Sequence, residues 1–244
     1  PAVEHVERPA RADVRPRFGV QVAAPLAAGG ASATAHPGSS ASEPPATEAR
    51  WWPRLARRLG TPAGPALGAL VLSAAILQGG AAMIGPASPI WLVRYLGAPS
   101  SFLGIVSLAS SLAAIGAQRL WARWIDRSGP DRVLGVTGAL AALIPLGWLL
   151  VWHPWVAIPI SALGGMAWSG YSLAMTSRLL QMAPAGERPA YLGTYAAAVG
   201  ASGAIGALLA GAITTALPIP WIPLVFLLSF LTRTLGWRSL SRSA

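Results

Sequence analysis

The chain has 244 residues, of which 54% are hydrophobic and 11% are charged, and its formal net charge is +10. About a quarter of the residues of a soluble domain are charged, so this composition excludes an ordinary soluble domain. The chain has no cysteine and no lysine. This excludes disulfides, zinc–thiolate sites, iron–sulfur clusters and a phosphate-binding loop with lysine, and we expect no metal or cofactor.

Residues 1–60 are predicted to be a disordered cytoplasmic leader. Pro, Gly, Ser and Ala dominate the first fifty residues, and no hydrophobic periodicity is visible there. The segment ends in a basic, aromatic stretch that is typical of an anchor at anionic lipid headgroups: Trp51, Trp52, Arg54, Arg57 and Arg58. Because the chain begins at Pro1 rather than Met, we expect a fragment or a processed product.

Residues 61–244 are predicted to form an all-α domain of six transmembrane helices. Six apolar runs are each about the 20 residues needed to cross a bilayer, and a spanning segment must be helical to satisfy its backbone. The runs are approximately 66–90, 100–120, 133–152, 155–180, 189–216 and 219–236.

The positions of the arginines predict the orientation of these spans. Arginines concentrate before span one, between spans two and three, between spans four and five, and after span six; the opposite side has Arg94 and His153. This pattern predicts a multi-pass protein with both termini cytoplasmic. We expect it in the cytoplasmic (inner) membrane of a bacterium. The orientation of the spans in the lipid bilayer then explains the positive net charge, and we expect no nucleic-acid partner.

A weak internal repeat relates the two halves of the domain. Phe102-Leu103-Gly104 in span two returns as Tyr191-Leu192-Gly193 in span five, 89 residues later. Residues 113–117 (AAIGA) return as 203–207 (GAIGA), 90 residues later. Three spans per copy would give the copies opposite orientations, as in transporters with three-plus-three inverted repeats.

The segment that follows span two, which we expect to be a cytoplasmic loop, carries the most specific motif of the chain. Its residues Asp126, Arg127, Gly129 and Arg132 resemble the signature G-x-x-x-D-R-x-G-R-R of the major facilitator superfamily, between the second and third helices of a six-helix half. Ala122 replaces the first glycine of that signature, and Pro130-Asp131 interrupts its basic end. An aspartate beside several arginines can form a charge-assisted network that stabilises one conformation.

This resemblance implies that the chain is one six-helix half of a secondary transporter, and the linker-like leader favours the C-terminal half. Such a transporter moves a small solute by alternating access of two halves around a midplane site. A second six-helix half is then an expected partner, as a missing segment or as another chain. The resemblance implies no enzyme activity, and the sequence does not identify the substrate.

Polar and aromatic residues at helical spacing are candidates for the lining of a transport pathway, although small residues at such spacing also serve helix packing. No Asp, Glu or Lys lies in the core of a span, so the candidates are uncharged and favour an uncharged or amphipathic solute. They are Gln78, Ser107, Ser111, Gln118, Trp168, Tyr171, Ser172 and Tyr195.

Two alternatives remain open at this point. The chain could be a non-catalytic membrane subunit, or a degenerate half, that only binds a partner. Residues 200–203 (GASG) also match the G-x-S-G string of rhomboid-type intramembrane serine proteases. That chemistry needs a histidine near Ser202, but His153 precedes the serine and lies at an outer span end, and span six has no histidine.

Overall fold

The computed structural model describes residues 64–184 and 186–243. Within these residues the fold is all-α, as predicted, with short 3₁₀ and π turns and no strand. The predicted leader, residues 1–60, lies outside the described residues. The α-helices are α1 (Gly64–Ala82), α2 (Ile84–Ile90), α3 (Phe102–Ser128), α4 (Pro130–Leu149), α5 (Ala157–Met182), α6 (Arg188–Ala216) and α7 (Ile222–Ser243).

The first predicted span is one helical stretch with an interruption. A turn at Met83 separates α1 from α2, and a π-helix of 5 residues, Trp91–Tyr95, continues α2. Pro86 and Pro89 follow the turn, and proline cannot donate the backbone hydrogen bond that a regular helix requires. The remaining predicted spans correspond to α3, α4, α5, α6 and α7 in chain order.

Helix α3 is longer than its apolar run. The sequence places span two at 100–120, but α3 continues to Ser128, so Asp126 and Arg127 are helical and not part of a loop. The link to α4 is Gly129 alone, at φ 80°, a conformation that favours glycine, and Pro130 then begins α4. Helix α7 likewise continues beyond 236 to Ser243. Hydropathy marks the end of apolar sequence, whereas caps and turns end the helix.

Four stretches of the described residues are long and apolar enough to cross a membrane: Pro65–Tyr95, Phe102–Ser128, Pro130–Leu149 and Arg188–Ala216. Helices α5 and α7 do not meet the same criterion of length and apolar composition. Glycine, serine and aromatic residues dilute the apolar content of α5, and arginines dilute that of α7. Both helices pack into the same bundle as the other four spans.

The packing of the helices has an internal symmetry. Helix α3 packs mainly on α5, α1 packs on α6 and α7, and α4 packs on α5 and α7. This pattern is unchanged when α1, α3 and α4 are exchanged with α5, α6 and α7, respectively. Short links make successive spans antiparallel, so the two sets have opposite directions. The packing thus agrees with the predicted three-plus-three inverted repeat.

A further pair of sequence segments follows the same symmetry. Leu146-Gly147-Trp148 ends α4, and Leu235-Gly236-Trp237 lies in α7, 89 residues later. A Cβ atom on Gly147 would lie 3.1 Å from Ile160 in α5, and one on Gly236 would lie 2.7 Å from the backbone nitrogen of Leu77 in α1. Each glycine therefore packs on the first helix of the opposite set.

Candidate functional site

Two apolar clusters form the core of the bundle, one toward each end. The Tyr171 cluster lies at the end that carries the α3–α4 and α5–α6 links, and it includes Leu77, Leu134, Tyr171, Leu179 and Leu240. The Trp91 cluster lies at the other end and includes Trp91, Phe102, Trp148, Val225 and Phe226. Every span contributes residues to both clusters.

Between the clusters each span crosses a stretch that belongs to neither. We call this region the middle layer; it comprises approximately residues 78–82, 107–116, 135–143, 161–165, 200–209 and 227–236. Glycine, alanine, serine and threonine are frequent in it, and it contains Arg233. The middle of the bundle is therefore held by close backbone approach and hydrogen bonds more than by large apolar side chains.

Two helix crossings in the middle layer depend on glycine. A Cβ atom on Gly206 of α6 would collide with the backbone carbonyl of Gly79 in α1. A Cβ atom on Gly165 of α5 would collide with the backbone carbonyl of Ser110 in α3. The α1–α6 and α3–α5 contacts are equivalent under the internal symmetry, so the two copies use the same means of close packing.

Three of the candidate pathway residues lie together beside the middle layer. Trp168 stacks on Tyr171 within α5, with ring centroids 5.3 Å apart, and Tyr195 of α6 packs into the same cluster. Tyr171 is buried, and its hydroxyl oxygen has no hydrogen-bond partner among the described residues. Buried hydroxyl groups are usually hydrogen-bonded, so this one has an unmet requirement for a partner.

Gln78 lies on a neighbouring part of the bundle. It is half-buried in α1 and faces α6, where a Cβ atom on Gly203 would lie 3.8 Å from its Cγ atom. Gly79 and Gly80 follow it in the sequence. Their role is close packing, since Gly79 meets α6 and Gly80 meets α7, while the interruption of the span occurs at Met83.

The other candidate pathway residues point away from the described bundle. Ser107, Ser111 and Gln118 are exposed along α3, and Ser172 is exposed on α5. Gly104 and Gly193, which are equivalent in the two copies, are also open, with no atom within 4 Å of a Cβ built on them. The structure therefore separates the eight candidates into a group around α1, α5 and α6 and an outward group that lies chiefly on α3.

The arginine-rich motif has its ion pair at a position other than Asp126. Asp126, Arg127 and Arg132 are exposed, and within the described part of the chain Asp126 has no ion pair. Arg178 Nε of α5 instead lies 3.0 Å from Oδ1 of Asp131, in the first turn of α4. That oxygen is buried and lacks an aligned hydrogen bond, so the charge of Arg178 is its compensation. Both side chains are partly exposed, so this pair contributes little stability.

Ser202 and His153, the two residues that a serine-protease mechanism would require, do not form a hydrogen bond with each other in the described part of the chain. Ser202 donates from Oγ to the carbonyl oxygen of Val199, 3.0 Å away, within α6. His153 precedes the 3₁₀ turn that leads into α5, and its ring lies against Trp152 at 6.1 Å between centroids.

Arg233 is the functional candidate that the sequence did not reveal. The sequence places it with Arg238 and Arg242 at the cytoplasmic chain end, but it lies in the middle of α7 and is buried, with 6% of its surface exposed. A helical signal was present: Ser229, Arg233 and Leu240 share one face of α7, and all three are buried. The apolar run 219–236 includes Arg233, but the positive-inside pattern assigned its charge to the cytoplasmic end.

Comparison with known proteins gives one family. Residues 70–242, which are more than half of the chain, match the model of the Major Facilitator Superfamily. A search of curated proteins gave no match. The matched range begins at Leu70 in α1 and ends at residue 242 in α7, and it includes the motif at Asp126.

Proposed function

The chain belongs to the major facilitator superfamily, and we propose that it is one half of a secondary transporter that moves a small solute by alternating access. The family match over residues 70–242 carries this proposal. The internal symmetry of the packing supports it, because inverted three-span repeats are a construction of such transporters. The chain would work together with a second six-helix half, present as another segment or another chain.

The second half would pack on the exposed faces of α3 and α6. These two helices are the least buried of the apolar spans, and they are equivalent in the internal repeat. Their outward faces carry large apolar residues such as Leu108 and Leu208, and also small or polar ones, including Gly104, Ser107, Ser111 and Gly193. Small residues permit close helix contact in a membrane, whereas lipid contact does not require them.

The aromatic group around Tyr171 supports a site for the solute. Trp168 and Tyr195 are half-buried beside the unpartnered Tyr171 hydroxyl, and no described Asp, Glu or Lys lies in this group. Stacked aromatic surface with one free hydroxyl suits an uncharged or amphipathic solute. Gln78 would add an amide donor and acceptor from α1.

Transport by the chain is testable in cells that naturally produce the protein. The substrate in this test is Nile red, an uncharged amphipathic dye. We expect deletion of the gene to change the initial rate of dye accumulation. Asp126→Ala should lower the maximal transport rate, whereas Trp168→Ala should change the dye concentration that gives half of that rate. Trp168→Phe is the matched control, because phenylalanine keeps the stack on Tyr171.

Two outcomes of this assay would count against the proposal. Full transport by Asp126→Ala would remove the motif from the mechanism, and unchanged kinetics of Trp168→Ala would remove the aromatic group. If deletion of the gene changes the transport of neither Nile red nor a panel of radiolabelled uncharged solutes, the non-catalytic subunit becomes the better explanation. The amount of chain in the membrane is measured by immunoblot for every variant.

The absence of cysteine from the chain gives a direct test of its proposed orientation. We expect Ser128→Cys and Gly186→Cys to react with a membrane-impermeant maleimide only after the cells are opened, because arginines cluster in the helix ends that flank these two links. Ser100→Cys and His153→Cys should react in intact cells. The reverse labelling pattern would contradict cytoplasmic termini, and the cysteine-free chain is the blank.

A further inference from the structure

Arg233 is a buried charge for which the proposed transport mechanism has no use. It lies in the middle layer, on the face of α7 that packs against α1 and α4. Nη1 donates to the carbonyl oxygen of Ala141 in α4 at 2.6 Å, and Nη2 donates to that of Ala81 in α1 at 3.3 Å. Charged groups inside a membrane bundle are costly and require partners, so these two contacts need an explanation.

The first contact is explained by a proline four residues farther along α4. In a regular helix the carbonyl of Ala141 would accept the N–H of residue 145. Residue 145 is Pro145, which has no N–H, so this carbonyl has no donor within its own helix. The guanidinium of Arg233 occupies the place of the missing donor.

The second contact lies at an interruption of another helix. Ala81 is next to the last residue of α1, and the turn at Met83 follows. The residue four positions after Ala81 is Gly85, which keeps its N–H. The contact with Ala81 therefore ties α7 to the interrupted part of the first span, whereas only the Ala141 carbonyl loses its helical donor to a proline.

Gly80 gives Arg233 the room to reach these carbonyls. A Cβ atom on Gly80 would lie 3.0 Å from Cγ of Arg233 and 3.1 Å from the carbonyl oxygen of Ser229. The Ser229 hydroxyl in turn donates to the carbonyl oxygen of Gly80 at 2.6 Å. The contact between α1 and α7 in the middle layer is thus polar and closely packed.

We propose that Arg233 and Pro145 form one unit, in which the arginine supplies the hydrogen-bond donor that the proline removes from α4. Through its second contact, Arg233 also fixes α1, so it holds three spans together where neither apolar cluster reaches. Arg233 is a positioning residue in this role. The inference concerns the folded half itself and does not depend on the proposed transport.

A double-mutant cycle on the full chain in detergent tests this coupling. We expect Arg233→Met to leave the Ala141 carbonyl without a donor, and Pro145→Ala to restore an N–H to it. The effect of Arg233→Met on the folded-to-unfolded ratio should then be about tenfold or more smaller in the Pro145→Ala background, the size of one charged hydrogen bond. This difference is diagnostic even if loss of the buried charge changes the single-variant result.

Two matched controls separate the unit from general effects. Arg238→Met removes an exposed arginine from the same helix, and Pro89→Ala removes a proline from the interior of α2. Arg238→Met should be additive with Pro145→Ala, and Arg233→Met should be additive with Pro89→Ala. If Arg233→Met fails to fold, the yield of monodisperse chain on size exclusion is measured, and Pro145→Ala should restore it. Additivity of Arg233→Met with Pro145→Ala, or no recovery of yield, would overturn the proposal.

Discussion

Alanine at Gly165 or at Gly206 is expected to unfold the bundle or to lower its free energy of unfolding by about 3 kcal/mol or more. In each case the new methyl group would collide with a backbone carbonyl of the crossing helix, Ser110 in α3 or Gly79 in α1. A backbone carbonyl cannot avoid the collision by changing rotamer, as a side chain can, so the helices must separate. Thermal or denaturant unfolding of the purified chain in detergent measures this loss.

The same helices contain matched controls for these two substitutions. A Cβ atom on Gly164 would lie 3.7 Å from Ile144, and one on Gly203 would lie 3.8 Å from Gln78, which are ordinary contacts. Since alanine is a better helix former than glycine, Gly164→Ala and Gly203→Ala should be neutral or slightly stabilising. Equal stability of Gly165→Ala and Gly164→Ala would show that α3 and α5 leave room for a methyl group at their crossing.

Tryptophan at Ser111 is expected to abolish assembly with a second half, and with it transport, while the chain itself remains folded. Ser111 is exposed on α3, so the larger side chain has room in the half alone but would occupy the space of a neighbouring helix. The mass of the complex extracted in mild detergent, measured by light scattering, reports assembly. The same sample gives the thermal stability of the chain.

Leu143→Trp is the matched control for that substitution. Leu143 is 53% exposed on α4, a helix that packs against α5 and α7 and has little contact with α3. We expect it to leave the mass of the complex unchanged. If Ser111→Trp assembles as Leu143→Trp does, the second half does not pack on α3, and the small residues of that face have another role.

Much of the fold is readable from the sequence because it follows from apolar length. Six apolar runs predicted six helical spans, and the described helices confirm an all-α membrane protein. The end of α3 was misplaced because the polar residues through Ser128 remain helical after the apolar run stops. Gly129 and Pro130 were visible in the sequence, and they were the better signal for the helix end.

The candidate site was only partly readable for a different reason. Periodicity places residues on one face of a helix, but it does not state what that face meets. In the structure, Trp168, Tyr171 and Tyr195 lie together, whereas Ser107 and Ser111 face outward. Periodicity alone did not distinguish these two groups. Arg233 was misplaced because the positive-inside pattern groups it with the arginines of the chain end and carries no information on the carbonyl groups of two other helices that accept its hydrogen bonds.

The one-residue link at Gly129 limits how α3 can move. Helix α3 has 27 residues, so it is about 40 Å long, and a tilt of about 10° at Gly129 would displace its far end by roughly 7 Å. Its near end would hardly shift, since a single residue joins it to α4. Because the carbonyl of Ser110 fits closely against Gly165, α5 would have to tilt with it. The two helices would therefore act as one lever with its fulcrum at the arginine-rich end.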